Sequence, residues 1–204
     1  MKKLVPNINI TAVFTGLIFL ITISLSGQSK YNLLCNSKLL SASVDTALQQ
    51  IGIREKSGNN DGEVKKYLDC LGMREGLPYC AAGQYWCFMT AADGLGLNRK
   101  LIPIKRTAVA NEMFSHASNT GRRMAYRASV HDLIVWRNKG SFSGHIERVY
   151  QVQKAGWVET IGFNTGGRTN TSQRDGSGVF KKRRNIYHPI GRMAVRGLIG
   201  FDSN

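Results

Sequence analysis

Apolar residues in the first half of the chain recur every three to four positions, a period typical of amphipathic helices. Gly52 and Gly72 follow two such stretches, and a third stretch carries no charged residue until Asp93. Glycine after the last periodic residue indicates a helix end, and an uncharged helix is typically buried. The pattern predicts four helices, over residues 38–50, 64–71, 80–93 and 107–118, with the third one buried and the fourth on the surface.

In the second half of the chain the period changes to two. Segments rich in β-branched and aromatic residues alternate with Gly, Asn and Ser, which predicts antiparallel strands joined by turns. The expected strands are 132–137, 145–152, 157–164 and 178–183. Helices followed by strands predict an α+β domain, in which the N-terminal helices precede the sheet and the apolar helix 80–93 packs on an antiparallel β-sheet.

The first 26 residues have the three parts of an export signal. Lys2 and Lys3 precede an uncharged stretch with an apolar middle, and Ser24 and Ser26 supply the small residues of a cleavage site. We therefore expect a signal peptide over 1–26 and a single domain over 27–204, secreted or periplasmic. The alternative is an uncleaved N-terminal membrane anchor, since the uncharged run is long enough to cross about 30 Å of hydrocarbon.

The chain is strongly basic, with 28 Lys and Arg against 13 Asp and Glu and a formal net charge of +15. A field of this sign favours polyanionic partners, such as nucleic acid, anionic lipid or an acidic wall polymer. The cations concentrate between Gly166 and Arg196, which we call the basic C-terminal segment. This segment either holds the protein to an anionic wall polymer or membrane surface, or is a solvated face without a partner.

Four cysteines are present, at positions 35, 70, 80 and 87. Neither they nor the four histidines have the short ligand spacings of zinc sites, so no metal and no cofactor are expected. In an oxidising compartment either two disulfides form or at least one thiol stays free for chemistry. In the second case Cys87 is expected to pair with Cys35 or Cys70, or all three stay reduced.

Cys80 is the candidate nucleophile. It is the first residue of the predicted buried helix, where the partial positive charge of a helix N-terminus favours the thiolate. His145 follows Gly144 at the start of a strand and is a candidate general base. Asn164, at the end of the next strand, is the candidate that orients the imidazole through its other nitrogen. The alternative for Cys80 is a core cysteine or half of a disulfide.

Short motifs around these residues resemble the CHAP family of cysteine, histidine-dependent amidohydrolases and peptidases. In order, the motifs are Pro78-Tyr79-Cys80-Ala81-Ala82, Trp86-Cys87, the run 131–136, Gly144-His145-Ile146, the run 161–165 and Gly178-Val179-Phe180. The resemblance implies a papain-like fold, with Cys80 as nucleophile, His145 as general base and Asn164 as the orienting amide. It also implies hydrolysis of amide bonds in peptidoglycan, either between sugar and peptide, by an amidase, or within the peptide, by an endopeptidase.

The chain departs from the family pattern beside its candidate site. Gly162-Phe163-Asn164 stands where many members have Glu-Gly-Asn, which removes a glutamate as the orienting residue. Glu147 lies two residues after His145 and therefore on the same strand face. It is expected either to raise the pKa of His145 or to be a solvated strand residue, and the second is favoured because charged strand residues usually face water.

An oxyanion formed during amide hydrolysis needs hydrogen-bond donors. The backbone N–H of Cys80 is the expected first donor. Tyr79 and Gln84 are the candidate side chains for oxyanion stabilisation or substrate orientation. The alternative for both is a structural role, with Tyr79 as a buried aromatic residue at the helix entrance.

Two other classes of protein share parts of this description. One is a catalytically silent wall-binding module on the same fold, against which the joint presence of cysteine, histidine and amide argues. The other is a basic nucleic-acid-binding protein that uses the run 181–184. The expected export signal argues against nucleic acid as a partner, so peptidoglycan is the expected one.

Overall fold

The computed structural model describes residues 28–166 and 177–204, so the expected signal peptide or anchor over 1–26 lies outside the described residues. The helices are α1 (Ser37–Gln49), α2 (Lys65–Asp69), α3 (Cys80–Gly94) and α4 (Ala110–Thr120). The strands are β1 (Ser29–Cys35), β2 (Arg122–Met124), β3 (Leu133–Asn138), β4 (Gly144–Val152), β5 (Trp157–Thr165), β6 (Gly178–Asn185) and β7 (Met193–Ser203). Short 3₁₀ turns lie at Gly62–Val64 and Arg99–Leu101.

The seven strands form one sheet in the order β2-β1-β7-β3-β4-β5-β6. Strands β3 to β6 are the predicted antiparallel meander. The α+β class is therefore confirmed, but the expectation of a purely antiparallel sheet is wrong, because β1 pairs in parallel with β7. The expected order of helices before strands is also wrong, since β1 precedes α1.

The four predicted helices are all present, with some changes in length. The second consists of the 3₁₀ turn Gly62–Val64 followed by the five-residue α2, and the fourth begins three residues later than expected, at Ala110. Asn36 begins α1, because its side chain accepts a hydrogen bond from the Leu39 N–H at 3.1 Å. Among the helices of the described residues, none combines the length and the apolar character that a bilayer crossing requires.

Helix α3 is the central helix of the molecule and carries the candidate nucleophile. Its buried residues occur all round the helix, as expected for an uncharged segment, and the helix packs on α1 and on strands β4 and β5. Gly83 lets α3 approach β5 closely, since a Cβ there would lie 2.3 Å from the ring of Phe163. This approach fixes the start of α3 relative to the strands that carry the other candidate residues.

Candidate active site

Cys80 is the first residue of α3 and is 4% exposed. The helix starts with a hydrogen bond from the Gly83 N–H to the Tyr79 carbonyl at 2.8 Å. Tyr79 is the N-cap residue, and its side chain accepts no hydrogen bond from the first turn. The N–H groups of that turn therefore carry the partial positive charge of the helix end without a side-chain cap from this residue.

His145 is the second residue of β4 and is 4% exposed. It pairs with Trp136 of β3, and the two ring centroids are 6.1 Å apart. Gly144, which precedes it, has no room for a side chain, because a Cβ would lie 2.3 Å from the Trp136 carbonyl oxygen. Close strand pairing thus requires a glycine directly before the residue whose imidazole enters the site.

The structure brings Cys80 and His145 together. Burial by itself would lower the pKa of His145, but hydrogen bonds and charge from Cys80 and Glu147 outweigh it and raise the pKa to about 9. The imidazole is therefore protonated at neutral pH. A thiol beside a protonated imidazole combines a nucleophile and a proton donor in one place.

Glu147 is the residue that contacts the other side of the imidazole. Its Oε1 lies 3.0 Å from His145 Nε2, and its side chain is fully buried. The contact to Glu147 is therefore made by Nε2, one of the two ring nitrogens. The favoured expectation that Glu147 is solvated is wrong, and the alternative expectation, that it raises the pKa of His145, is the one that the structure bears out.

Two further side chains keep Glu147 ionised inside the protein. Arg184 of β6 donates to both carboxylate oxygens, from Nε at 2.9 Å and from Nη2 at 2.6 Å, and Thr160 of β5 donates to Oε2 at 2.6 Å. Burial would raise the pKa of the carboxyl, but the charge of Arg184, supported by these hydrogen bonds and by His145, holds it well below its usual range. A buried carboxylate is tolerated here because its charge is paired and its oxygens are hydrogen-bonded.

Asn164 does not make the contact that the sequence suggests for it. The position is buried, with a backbone φ of 51°, and the side-chain oxygen has no hydrogen-bond partner among the described residues. The contact to His145 Nε2 is made by Glu147, so any catalytic role for Asn164 stays a prediction.

The two side chains that are candidates for stabilising the oxyanion differ in whether their hydrogen-bond donors are already used. The Tyr79 hydroxyl donates its single proton to Glu55 Oε1 at 3.0 Å, and the ring is buried and stacked on Tyr67. Gln84 is also buried, and neither its side-chain oxygen nor its nitrogen has a partner among the described residues. It lies one helical turn after Cys80, on the same side of α3. Of these two side chains, only Gln84 has a hydrogen-bond donor without a partner among the described residues.

The other three cysteines are chemically distinct from Cys80. All four are free, so the expected pairing of Cys87 with Cys35 or Cys70 is wrong, and the structure agrees with the alternative that these three cysteines stay reduced. Burial raises the pKa of Cys35 and of Cys70 to about 11, and raises that of the fully buried Cys87 further. These three are thiols at neutral pH and therefore weak nucleophiles.

No metal centre is formed by the described part of the chain. In residues 28–166 and 177–204, no three His, Cys, Asp or Glu side chains are grouped so as to hold a metal ion. The reactive groups that the described residues bring together are the thiol, the imidazole and the carboxylate.

Comparison with known proteins gives no match to the chain, whether with family models, with curated proteins or with solved structures. The CHAP resemblance accordingly rests on the motifs alone.

Sequence reasoning does not assign a role to Arg184 or Thr160, and it favours the wrong alternative for Glu147. The signal is present in part, because Glu147 shares a strand face with His145 and Arg184 supplies a cation in the strand two places along the sheet. The sequence pattern instead groups Arg184 with the basic C-terminal segment, as one of its charges.

Proposed function

We propose that the protein is a secreted or periplasmic cysteine-dependent peptidase or amidase that hydrolyses amide bonds of peptidoglycan. The observation that carries the proposal is the contact chain from the Cys80 thiol through the His145 ring to the buried Glu147 carboxylate. The active side chains are therefore Cys80, His145 and Glu147, with Glu147 in the orienting role that the resemblance gives to Asn164. The fold proposed for this chemistry is papain-like.

Acylation begins with the Cys80 thiolate. Its sulfur attacks the carbonyl carbon of the amide, a C–S bond forms and the carbonyl oxygen becomes an oxyanion. His145, protonated at neutral pH, donates its proton to the amide nitrogen as the C–N bond breaks, and the amine leaves. Glu147 holds the ring in place and stabilises its positive charge until that proton is transferred.

Deacylation reverses the proton movement. His145 is neutral after the amine leaves, and it accepts a proton from a water molecule whose oxygen attacks the thioester carbon. The C–S bond then breaks, a carboxylic acid is released and the thiolate–imidazolium pair is restored. No redox change takes place in either half of the reaction, and the only co-reactant is water.

The oxyanion is stabilised by donors at the start of α3. The backbone N–H of Cys80 is the first donor, and the Gln84 side-chain N–H is the proposed second one, because it is buried without a partner among the described residues. Tyr79 is less suited, since Glu55 accepts its only proton.

Three features of the sequence support peptidoglycan as the substrate. The motifs around Cys80 and His145 resemble a family of wall hydrolases, residues 1–26 have the parts of an export signal, and the net charge of +15 favours contact with an anionic wall. The bond that is cut is either the one between the sugar lactyl group and the peptide, or one within the peptide.

The test is digestion of purified peptidoglycan by the wild-type protein and by Cys80→Ser, with Cys70→Ser as the matched thiol control. Cys70 is half-buried, and its sulfur donates only to the Tyr67 carbonyl, so the control should fold and cleave normally. Cleavage by Cys80→Ser should fall by about three orders of magnitude or more. Mass spectrometry of the fragments distinguishes a new lactyl group from a new peptide amine, and thereby an amidase from an endopeptidase.

Three results would contradict the proposal. Equal digestion by wild type and Cys80→Ser would remove the thiol from the mechanism. Wall binding without any new fragment would favour the silent binding module, and a salt-sensitive shift of arbitrary DNA without wall cleavage would favour the nucleic-acid-binding protein.

A further inference from the structure

A recess of about 580 Å³ lies between α4 and the ends of strands β3 and β7. It contains none of the proposed active side chains. Its lining combines three cations with two aromatic rings and a proline, namely Arg137, Lys139, Arg196, Phe114, Tyr187 and Pro189. The volume is that of a typical small-molecule site.

The positive charge in this recess is not neutralised by the protein. None of the lining residues is acidic, and none of the three cations forms an ion pair with a carboxylate in the described part of the chain. Arg196 bonds to neutral groups only, donating to the carbonyl and side-chain oxygens of Asn111 and to Ser115 Oγ. Burial and, after it, the charge of Arg137 lower the pKa of Arg196, so the two guanidinium groups lie close enough to repel each other. Such a concentration of like charge is relieved by an anion.

The aromatic residues give the recess an apolar surface beside its charge. The guanidinium of Arg196 lies over the Phe114 ring, with its central carbon 4.6 Å from the ring centroid. Tyr187 is 49% exposed although it is large and aromatic. Rings of this kind bind the apolar face of a flat or cyclic ligand, while a nearby arginine binds a carboxylate or phosphate.

Asn111 connects the recess to the strand that carries His145. Its side-chain oxygen accepts from Arg196 Nη1 at 3.0 Å, and its Nδ2 donates to the carbonyls of Phe142 and Ser143. A Cβ at Gly144 would lie 3.0 Å from the same nitrogen. The recess is therefore joined by one side chain to the segment that enters the candidate active site.

We propose that this recess binds a sugar ring that carries one oxyanion, either a carboxylate or a phosphate. As a subsite for wall fragments it rests on the proposed function, since cleavage of the bond between sugar and peptide frees a lactyl carboxylate on the sugar, and anionic wall polymers contain phosphate. As a binding site it is independent, because no proposed active side chain lines it.

The test is calorimetric titration of the full chain with three probes: N-acetylmuramic acid, glucose 6-phosphate and neutral N-acetylglucosamine. At least one anionic sugar should bind about tenfold or more tightly than the neutral one, because a charged hydrogen bond to arginine is lost with the neutral sugar. The affinity should also fall as salt is added. The ratio of the two anionic probes identifies the carboxylate or the phosphate as the preferred group.

The double variant Arg137→Ala/Lys139→Ala should bind the preferred probe about tenfold or more weakly, since both side chains are exposed and their loss leaves the core intact. Lys154→Ala, which removes an exposed cation outside the recess, should bind as the wild type does. Equal binding of neutral and anionic sugars, or unchanged binding by the double variant, would overturn the proposal. Cys80→Ser should retain the binding, so failure of the hydrolase proposal and failure of this one give different results.

Discussion

At the scale of single residues, Glu147 determines the electrostatics of the candidate active site. An unpaired carboxylate in the interior would cost several kcal/mol, on the order of 3–5, which its contacts to Arg184, Thr160 and His145 offset. The same contacts determine the charge of His145. Since the pKa of His145 in the folded protein is about 9 and therefore above its ordinary value, the imidazolium is present below that pH and is lost as the pH rises through it.

We expect Glu147→Gln to alter the pH profile of wall hydrolysis. In the wild type kcat/KM should fall above about pH 9, where His145 loses its proton. Glutamine carries no charge, so the pKa of His145 should decrease and the alkaline limb should move to lower pH, while kcat/KM at neutral pH falls about a hundredfold. The profile is measured by the release of soluble fragments from purified peptidoglycan.

The control for this variant is Glu159→Gln, another strand glutamate, which bonds to Tyr150 and Gln153 and not to the imidazole. Its alkaline limb should coincide with that of the wild type. A limb that stays in place in a folded Glu147→Gln protein would mean that the carboxylate does not control the imidazole.

The sequence locates parts of this site and misses others for a physical reason. A helix start and a strand start can be predicted from local pattern, and both Cys80 and His145 occupy such positions. The alternation of side chains along β4 also places Glu147 on the same strand face as His145, but it does not show whether other parts of the protein cover that face. The cover includes Arg184, 37 residues further on, and a contact at that separation leaves no local signal.

Packing of α3 against β5 is the contact between elements that sets the geometry of the site. Gly83 and Phe163 form it, and the space between them is already filled. Gly94 lies at the other end of the same helix, where an added Cβ would meet no atom within 4 Å and the backbone conformation is ordinary. Alanine substitutions at these two glycines therefore distinguish two effects on stability. One is the crowding of a packed contact, and the other is the reduced freedom of the unfolded backbone.

We expect Gly83→Ala to lower the free energy of unfolding by about 1–3 kcal/mol, because the added methyl group pushes the helix away from the Phe163 ring. Gly94→Ala should leave it unchanged or raise it by about 0.4–1 kcal/mol, since alanine restricts the unfolded chain. Urea denaturation of both variants measures the difference. Equal stabilities would show that the helix and the strand are not in the close contact described here.

The elements themselves are predicted unevenly by the sequence, and the failures share a cause. Strands β3, β4 and β5 follow one another through short connections, and a stretch of sequence rich in Gly, Asn and Ser precedes β6, so alternation and turn residues predict all four. Strand β1 is a short segment ahead of α1, and β7 contains Gly197 and Gly200, which weaken a strand pattern. Their parallel pairing joins the two ends of the described chain, and the sequence pattern of each strand alone does not reveal such a partner.

For the molecule as a whole, β1 is held in place by a buried ion pair as well as by the sheet. Lys30 Nζ lies 2.7 Å from Asp132 Oδ2, and the same ammonium donates to the Arg127 carbonyl and to Ser129 Oγ. Burial raises the pKa of Asp132 to about 6, although Lys30 opposes that change. The ion pair thus connects the first strand to the segment that leads into β3.

We expect Lys30→Met to destabilise the fold, because the buried Asp132 loses its partner. Removal of the ammonium raises the pKa of Asp132 above its wild-type value of about 6, so the loss should be smallest below pH 6, where the acid is protonated in both proteins, and should grow to about 3–5 kcal/mol as the pH rises above that value. Denaturation curves on both sides of that pH, with the double variant Lys30→Met/Asp132→Asn as the control, measure the effect. A loss that does not depend on pH, or that the double variant does not reduce, would exclude the charge as its cause.

The position of β7 between β1 and β3 also determines when the chain is able to finish folding. A ribosome delivers Ser29–Cys35 early and Met193–Ser203 late, so the sheet cannot connect its two parts while most of the polypeptide is being synthesised. Strands β3 to β6 pair with one another and can do so before β7 is made. The pairing of β1 and of β3 with β7 must wait for Met193–Ser203, so completion of the sheet is the last step that the order of synthesis allows.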